Sequence, residues 1–294
     1  MHRYLRAIGF SEITSPEYKK LMIDTIKNPD YRGYTLSEND DFLAEFSKNY
    51  ASELGLTVSG TFDEKENFQI EYVFPYLKGA GITSYEDVSV ERHAAEESFA
   101  GICDDYRLGI SLIFYLQNRI PYVKALTTKK LPVRGTTLTL SALSVRGSVL
   151  LPIVKDSWDL NRRKEQSTKR QALMRDAKNG NEKAIESLTL EDMDTYQEMS
   201  RRIYREDLYS LVETSFMPYG VECDQYAILG EILCVQTVTN SVTKEKIDIL
   251  TVQVNDLTFD VAINIIDLVG EPKVGRRFKG VIWLQGRINY PEEI

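Results

Sequence analysis

Two histidines and three cysteines are all the chain holds of the residues that most often bind metals or act as nucleophiles. His93 stands in Glu91-Arg92-His93-Ala94-Ala95-Glu96-Glu97, where a glutamate and a histidine are the right residue types for a metal or acid–base site. No second histidine is near it, so a solvated turn or a helix start is the expectation. Cys103, Cys223 and Cys234 are odd in number and lack Cys-x-x-Cys spacing, which excludes a disulfide framework and leaves free thiols in a reducing compartment. No Gly-x-Ser-x-Gly elbow, His-Glu-x-x-His, dinucleotide glycine fingerprint or calcium loop occurs. No catalytic residue, cofactor set or metal set is therefore assigned.

Long apolar runs are also missing. The most apolar window, Gly109 to Leu116, is far shorter than the ~20 residues of a membrane helix. The basic start Met1-His2-Arg3-Tyr4-Leu5-Arg6 has no apolar stretch behind it, so neither a cleaved leader nor a membrane partner is expected, and the chain is placed in the cytoplasm. A net charge of -8 opposes nonspecific nucleic-acid binding, whose affinity comes mostly from neutralised phosphates.

What is present is the balance of a soluble globular protein, 43% apolar and 27% charged over 294 residues. The spacing is clearest at the carboxy-terminal end. Tyr226–Thr239, Lys246–Val254, Leu257–Ile265 and Gly280–Ile288 are rich in β-branched and aromatic residues, and Asn255-Asp256 suits a two-residue hairpin turn. Leu257, Phe259, Val261 and Ile263 alternate with Thr258, Asp260, Ala262 and Asn264, which predicts one buried face.

Toward the amino terminus, Ser15-Pro16-Glu17 opens a helix with a capping hydroxyl, a proline and an acid. Asp40 or Asp41 is read as capping a second helix in which Phe42, Phe46 and Tyr50 recur every four residues. Strands are expected at Leu56–Phe62 and Phe68–Tyr76 around the turn Asp63–Asn67. Further strand character lies at Val88–Arg92, Glu97–Cys103, Arg107–Gln117 and Thr136–Ile153, with Asp104-Asp105 and Arg146-Gly147 as turns; Ser98–Cys103 fits the end of a helix equally well.

From Lys155 to Lys178 eight bases face four acids in a stretch of good helix formers ending at Asn179-Gly180. From Asn181 to Glu213 nine acids face four bases, with a helix start at Thr189-Leu190-Glu191. Opposite charge predicts that the two helices pair as an antiparallel hairpin, with Arg162-Arg163-Lys164 and Lys169-Arg170 as its basic face. A strand or bent helical exit follows at Asp207–Met217. The expected architecture is thus α+β: an antiparallel sheet with helices at 1–154, a helical hairpin linker at 155–205, and a small OB-like β-barrel module at 206–294.

Four fragments, Met1–Phe10, Ala184–Asp192, Phe216–Asp224 and Gly270–Gly286, resemble an uncharacterised family of anaerobic bacterial proteins of unknown function. The likeness spans nearly the whole chain and implies a bacterial cytosolic protein. It supplies no activity or site residues.

Contact residues are sought in the last strand and the loop before it. Gly270, Gly275 and Gly280 surround Arg276, Arg277 and Lys279, a basic loop able to cradle an anion through main-chain N–H groups; the plainer reading is a sheet corner whose bases meet solvent or Glu271. Val281, Trp283, Gln285 and Arg287 share one face of that strand. If that face is open, Trp283 beside Arg287 is a stacking platform of the kind small barrels use on single strands; otherwise Trp283 is core. The leading expectation is a non-catalytic interaction or scaffold protein binding another protein or a second copy. A nucleic-acid or nucleotide module using Arg276, Arg277, Trp283 and Arg287, and an enzyme with its site in the amino-terminal part, are the alternatives.

Overall fold

A computed structural model of the chain describes residues 1–37, 41–92, 98–105, 107, 110–153, 157–202 and 212–291. A 3-10 helix at Arg3–Ile8 is followed by α1 (Ser15–Lys27), β1 (Tyr31–Leu36), β2 (Phe42–Ala51), β3 (Leu54–Phe62) and β4 (Phe68–Leu77). The four strands form an antiparallel sheet in sequence order. Next come β5 (Val88–Arg92), β6 (Phe99–Asp105), β7 (Ile110–Leu116), α2 (Arg119–Thr127) and β8 (Thr137–Leu150). The helical hairpin is α3 (Ser157–Lys178) and α4 (Glu182–Arg202), and β9 (Ser215–Pro218), β10 (Gln225–Thr239), β11 (Lys246–Val254), β12 (Leu257–Asn264), β13 (Leu268–Val269) and β14 (Arg277–Asn289) complete the chain.

Five strands close on themselves. β8 pairs parallel with β12, β12 antiparallel with β11, β11 with β10, β10 with β14, and β14 antiparallel with β8 again. The α+β reading with a small carboxy-terminal barrel is therefore met, and the barrel closes. Its fifth strand, β8, lies before the helical hairpin, so strands on both sides of those helices build one core. Leu140, Ile228, Leu250, Val252, Phe259, Val261, Ile282 and Leu284 fill it. Asn255 and Asp256 adopt φ of 46° and 66°, the left-handed pair that the predicted turn requires.

The barrel's outside is covered as well. Ile247, Ile249, Ala262, Leu143 and Trp283 pack against Tyr4, Leu5, Ala7 and Ile8. Polar side chains tie the same segment down: Asn240 Nδ2 donates to Ile8 O at 2.8 Å, Thr243 Oγ1 to Gly9 O at 2.6 Å, and Arg6 Nε pairs with Asp267. β12 is consequently buried on both faces. Asp260 takes bonds from Ala80 N and Thr251 Oγ1, which is why a polar alternation could be buried here.

Several sequence readings need correction. Phe42–Tyr50 is strand β2: a repeat of four is also twice the strand period, so the aromatics share a face in either structure. Helix α1 is capped by Thr14, one residue before the expected cap, with Thr14 N donating to Glu17 Oε2 at 2.9 Å. Asp104-Asp105 and Arg146-Gly147 lie inside strands, not turns. Helix α4 begins at Glu182, where Asn181 Oδ1 accepts from Lys183 N, and Thr189 is mid-helix. β1 and α2 have no counterpart in the sequence reading. The α3–α4 pairing is as expected: Arg170 bonds Asp192 at 2.7 Å and stands 3.6 Å from Glu191. No helix among the described residues is long and apolar enough to cross a membrane.

Candidate functional site

The five proposed contact residues do not share one place. Arg277 and Arg287 are ten residues apart on β14, about 33 Å along an extended strand. Arg276 donates to Glu271 O at 2.8 Å, and Lys273 pairs with Glu271 at 2.8 Å. The loop's amides are used internally, Gly275 N on Ile232 O and Arg276 N on Lys273 O. Arg277 is 7% exposed and donates to Leu151 O and Val212 O, which lie on either side of the helical excursion. Lys279 is exposed on the strand opposite Ser148.

Trp283 is 4% exposed and offers no open ring. Its Nε1 donates to Asp224 Oδ2 at 2.6 Å, while His2, Tyr4 and Tyr115 lie with ring centroids 4.6, 5.2 and 5.2 Å away. Burial pushes the His2 imidazole down to about 4, with Arg3 adding to the effect. Gln285 on the same face is fully buried and joins the barrel to β4: its Nε2 donates to Pro75 O at 2.8 Å and its Oε1 accepts from Gln117 Nε2 at 2.9 Å. His93 lies outside the described residues, and among those described no three His, Cys, Asp or Glu side chains form a metal-binding group.

Of the five, Arg277 lines a hollow of about 200 Å³ with Glu213, Thr214 and Glu231, and Arg287 lines a different cavity beside the four-stranded sheet. That cavity of about 220 Å³, partly open to solvent, lies between the four-stranded sheet and the β7–α2 junction, lined by Tyr31, Glu45, Ser47, Thr57, Phe74, Tyr76, Lys78, Gln117, Asn118, Pro121 and Arg287. The floor is one row of the ladder. Tyr31, Ser47, Thr57 and Phe74 are direct cross-strand partners in β1 to β4, and the next row is Gly33, Glu45, Ser59 and Tyr72. Because opposite residues share a face, these rows present their side chains together. Ser47 and Thr57 bond each other at 2.8 Å. The Tyr31 ring folds over Gly33, where a Cβ would stand 2.8 Å from its hydroxyl and 3.2 Å from Ile120 Cγ1.

The roof is fixed by amides. Asn118 Nδ2 donates to Ile288 O at 2.8 Å and its Oδ1 accepts from Ile288 N, which holds β14 so that its neighbour Arg287 stands at the mouth. Gln117 Nε2 is spent on Leu77 O and Gln285 Oε1. Lys78 extends over the Tyr76 ring, and the Tyr76 hydroxyl donates to Asn49 Oδ1 at 2.7 Å. Neither Lys78 nor Arg287 has an ion-pair partner among the described residues.

Glu45 is the one acid on this lining. Arg119 Nε stands 3.4 Å from its Oε1, with both side chains 5% exposed. Burial pushes the Glu45 carboxyl up to about 7, against the pull of Arg119, Ser59 and the Ile120 amide. Burial also raises the Tyr31 phenol, with Glu45 raising it further and Arg287 opposing. Arg119 itself lines a second hollow of about 290 Å³ with Leu43, Glu71, Arg92 and Tyr122, so the ion pair forms the wall between two spaces.

Sequence reasoning missed Tyr31, Glu45, Lys78 and Gln117. The usable signal was the alternation of Thr57, Ser59 and Thr61 with Leu56 and Val58 in β3, whose polar half reads as solvent-facing until a second layer is known to cover it.

A family model described as a domain of unknown function, E. rectale gene description (DUF3881), matches residues 5–286. No curated protein and no solved structure matches the chain.

Proposed function

The chain belongs to that family, whose description carries no activity, and from the geometry of the cavity we propose that it is a non-catalytic binding protein for a small planar anion, such as an aromatic carboxylate. The observation that carries this reading is a ladder row whose buried polar pair, Ser47 and Thr57, lies between the rings of Tyr31 and Phe74 and faces a cavity with two cations, Lys78 and Arg287, on its lining. Phe74, Tyr31 and Pro121 supply flat apolar walls for a ring, and the cations suit its carboxylate. A space of about 220 Å³ suits a small single-ring ligand rather than a polymer.

Benzoate is the first probe. It should raise the melting temperature of the native chain and bind in calorimetry, and Lys78→Ala with Arg287→Ala should abolish both effects. Equal stabilisation of the double variant would sink this reading.

A second reading is contact with another protein. Leu36, Tyr34, Phe42 and Ile70 are exposed in two adjoining rows on the other face of the four-stranded sheet, a continuous aromatic and aliphatic patch. The nucleic-acid reading draws support from topology: counted from β10, the barrel's circuit runs first, second, third, fifth, fourth, with its one parallel pair between third and fifth. We read this as a permuted OB-like barrel. The outer face of its second and third strands, where such barrels bind, is here packed by residues 4–8, which weighs against single-strand binding. Three free cysteines accord with a cytoplasmic setting.

A further inference from the structure

Resting on the reading of the cavity as an anion site, we infer that binding is proton-coupled: an anion entering the cavity brings one proton from solvent onto Glu45. Three observations converge. Glu45 is the only acid lining the space among the described residues, so it is the carboxylate that a bound anion meets directly, while Asp30 and Glu53 act on the wall from behind Tyr76. Its side chain is 5% exposed, so water cannot screen that repulsion. Its partner Arg119 is at 3.4 Å and lies on the far wall, where it does not reach the ligand space.

The groups facing Glu45 come from every neighbouring element. Arg119 and the Ile120 amide approach from α2, Tyr31 from β1 and Ser59 from β3, while Arg287 and Lys78 line the same cavity from β14 and the end of β4. With an anion held by Lys78 and Arg287, ionised Glu45 would be a second negative charge in a small space, on a carboxyl that itself has almost no solvent. Protonation removes it and leaves Arg119 as a net positive charge beside the site, which favours the anion further. Burial already places the carboxyl near 7, so the proton is taken up at a modest free-energy cost. The one bond made is the O–H on Glu45, its proton given up by a buffer acid in solvent, and the ligand stays an anion.

Benzoate is the probe because it stays ionised from about pH 6 upward, being an ordinary carboxylate. Calorimetric titration of the unaltered chain at about pH 8, repeated in buffers of different ionisation enthalpy, should count close to one proton taken up per benzoate. Affinity should fall about tenfold per pH unit above about 7. Glu45→Gln should bind benzoate with no proton uptake and no pH dependence, and Arg287→Ala should bind weakly but keep the proton count. Benzoate binding to the native chain with no proton uptake overturns the coupling and leaves the anion site standing. No benzoate binding at any pH overturns the site and the coupling together.

Discussion

Glu45 and Arg119 face each other at 3.4 Å across the seam between the four-stranded sheet and α2, each almost without solvent. A pair so placed gains little from its own attraction, because both ions lose their water. Its removal should nevertheless be costly. Arg119→Ala leaves a carboxyl in a dry wall, and we expect a loss of about 3 to 5 kcal/mol in urea denaturation above neutral pH, shrinking toward pH 5 as Glu45 protonates. Equal loss at both pH values would mean that only packing was removed.

The same carboxyl sets a pH dependence in the native chain. Its folded value of about 7 lies above the usual 4.5, so between those values the folded chain holds the proton that the unfolded chain has released. Stability from this group is therefore greatest below about 4.5, declines as pH rises through the window, and levels off above about 7, a span of about 3 kcal/mol. Denaturation midpoints measured from about pH 5 to pH 8 should fall in the native chain and fall less in Glu45→Gln. Superimposable profiles would remove Glu45 as the cause.

Trp283 is a structural residue in this account. Trp283→Ala should cost about 3 to 5 kcal/mol through the cavity left among Tyr4, Tyr115 and His2 and the lost bond to Asp224. Arg287→Ala, at an exposed position, should change stability by less than about 0.5 kcal/mol while weakening benzoate. Thermal melts of the two variants separate the roles: a neutral Trp283→Ala would contradict the packing.

Gly33 offers a test of the cavity floor. A side chain there meets the Tyr31 hydroxyl and Ile120, so Gly33→Val should push the Tyr31 ring toward the cavity and weaken benzoate more than it lowers stability. An unchanged dissociation constant would place the ligand away from Tyr31.

The barrel was legible because its strands carry their own signals: Asn255-Asp256 names its turn, and Leu257 to Ile263 alternate with the pleat. The covering of its outer face was not, since Ala262 and Asn264 look like solvent residues until Tyr4 to Ile8 are known to lie on them. β2 was misread because residues four apart satisfy both periods, and with it went the two adjacent rows that hold Ser47 and Glu45. Of the five contact residues proposed, Arg287 lines this cavity, Arg277, Lys279 and Trp283 lie elsewhere on the strand, and Arg276 lies in the loop before it. A cavity between sheets is a property of tertiary packing, and no local spacing announces it.

The most direct test is a crystal of the native chain soaked in 4-bromobenzoate and read by bromine anomalous scattering. One strong peak is expected over the Tyr31–Phe74 row, with the carboxylate turned to Arg287 and Lys78. Bound ligand at any other place, with this cavity filled only by water, would contradict it.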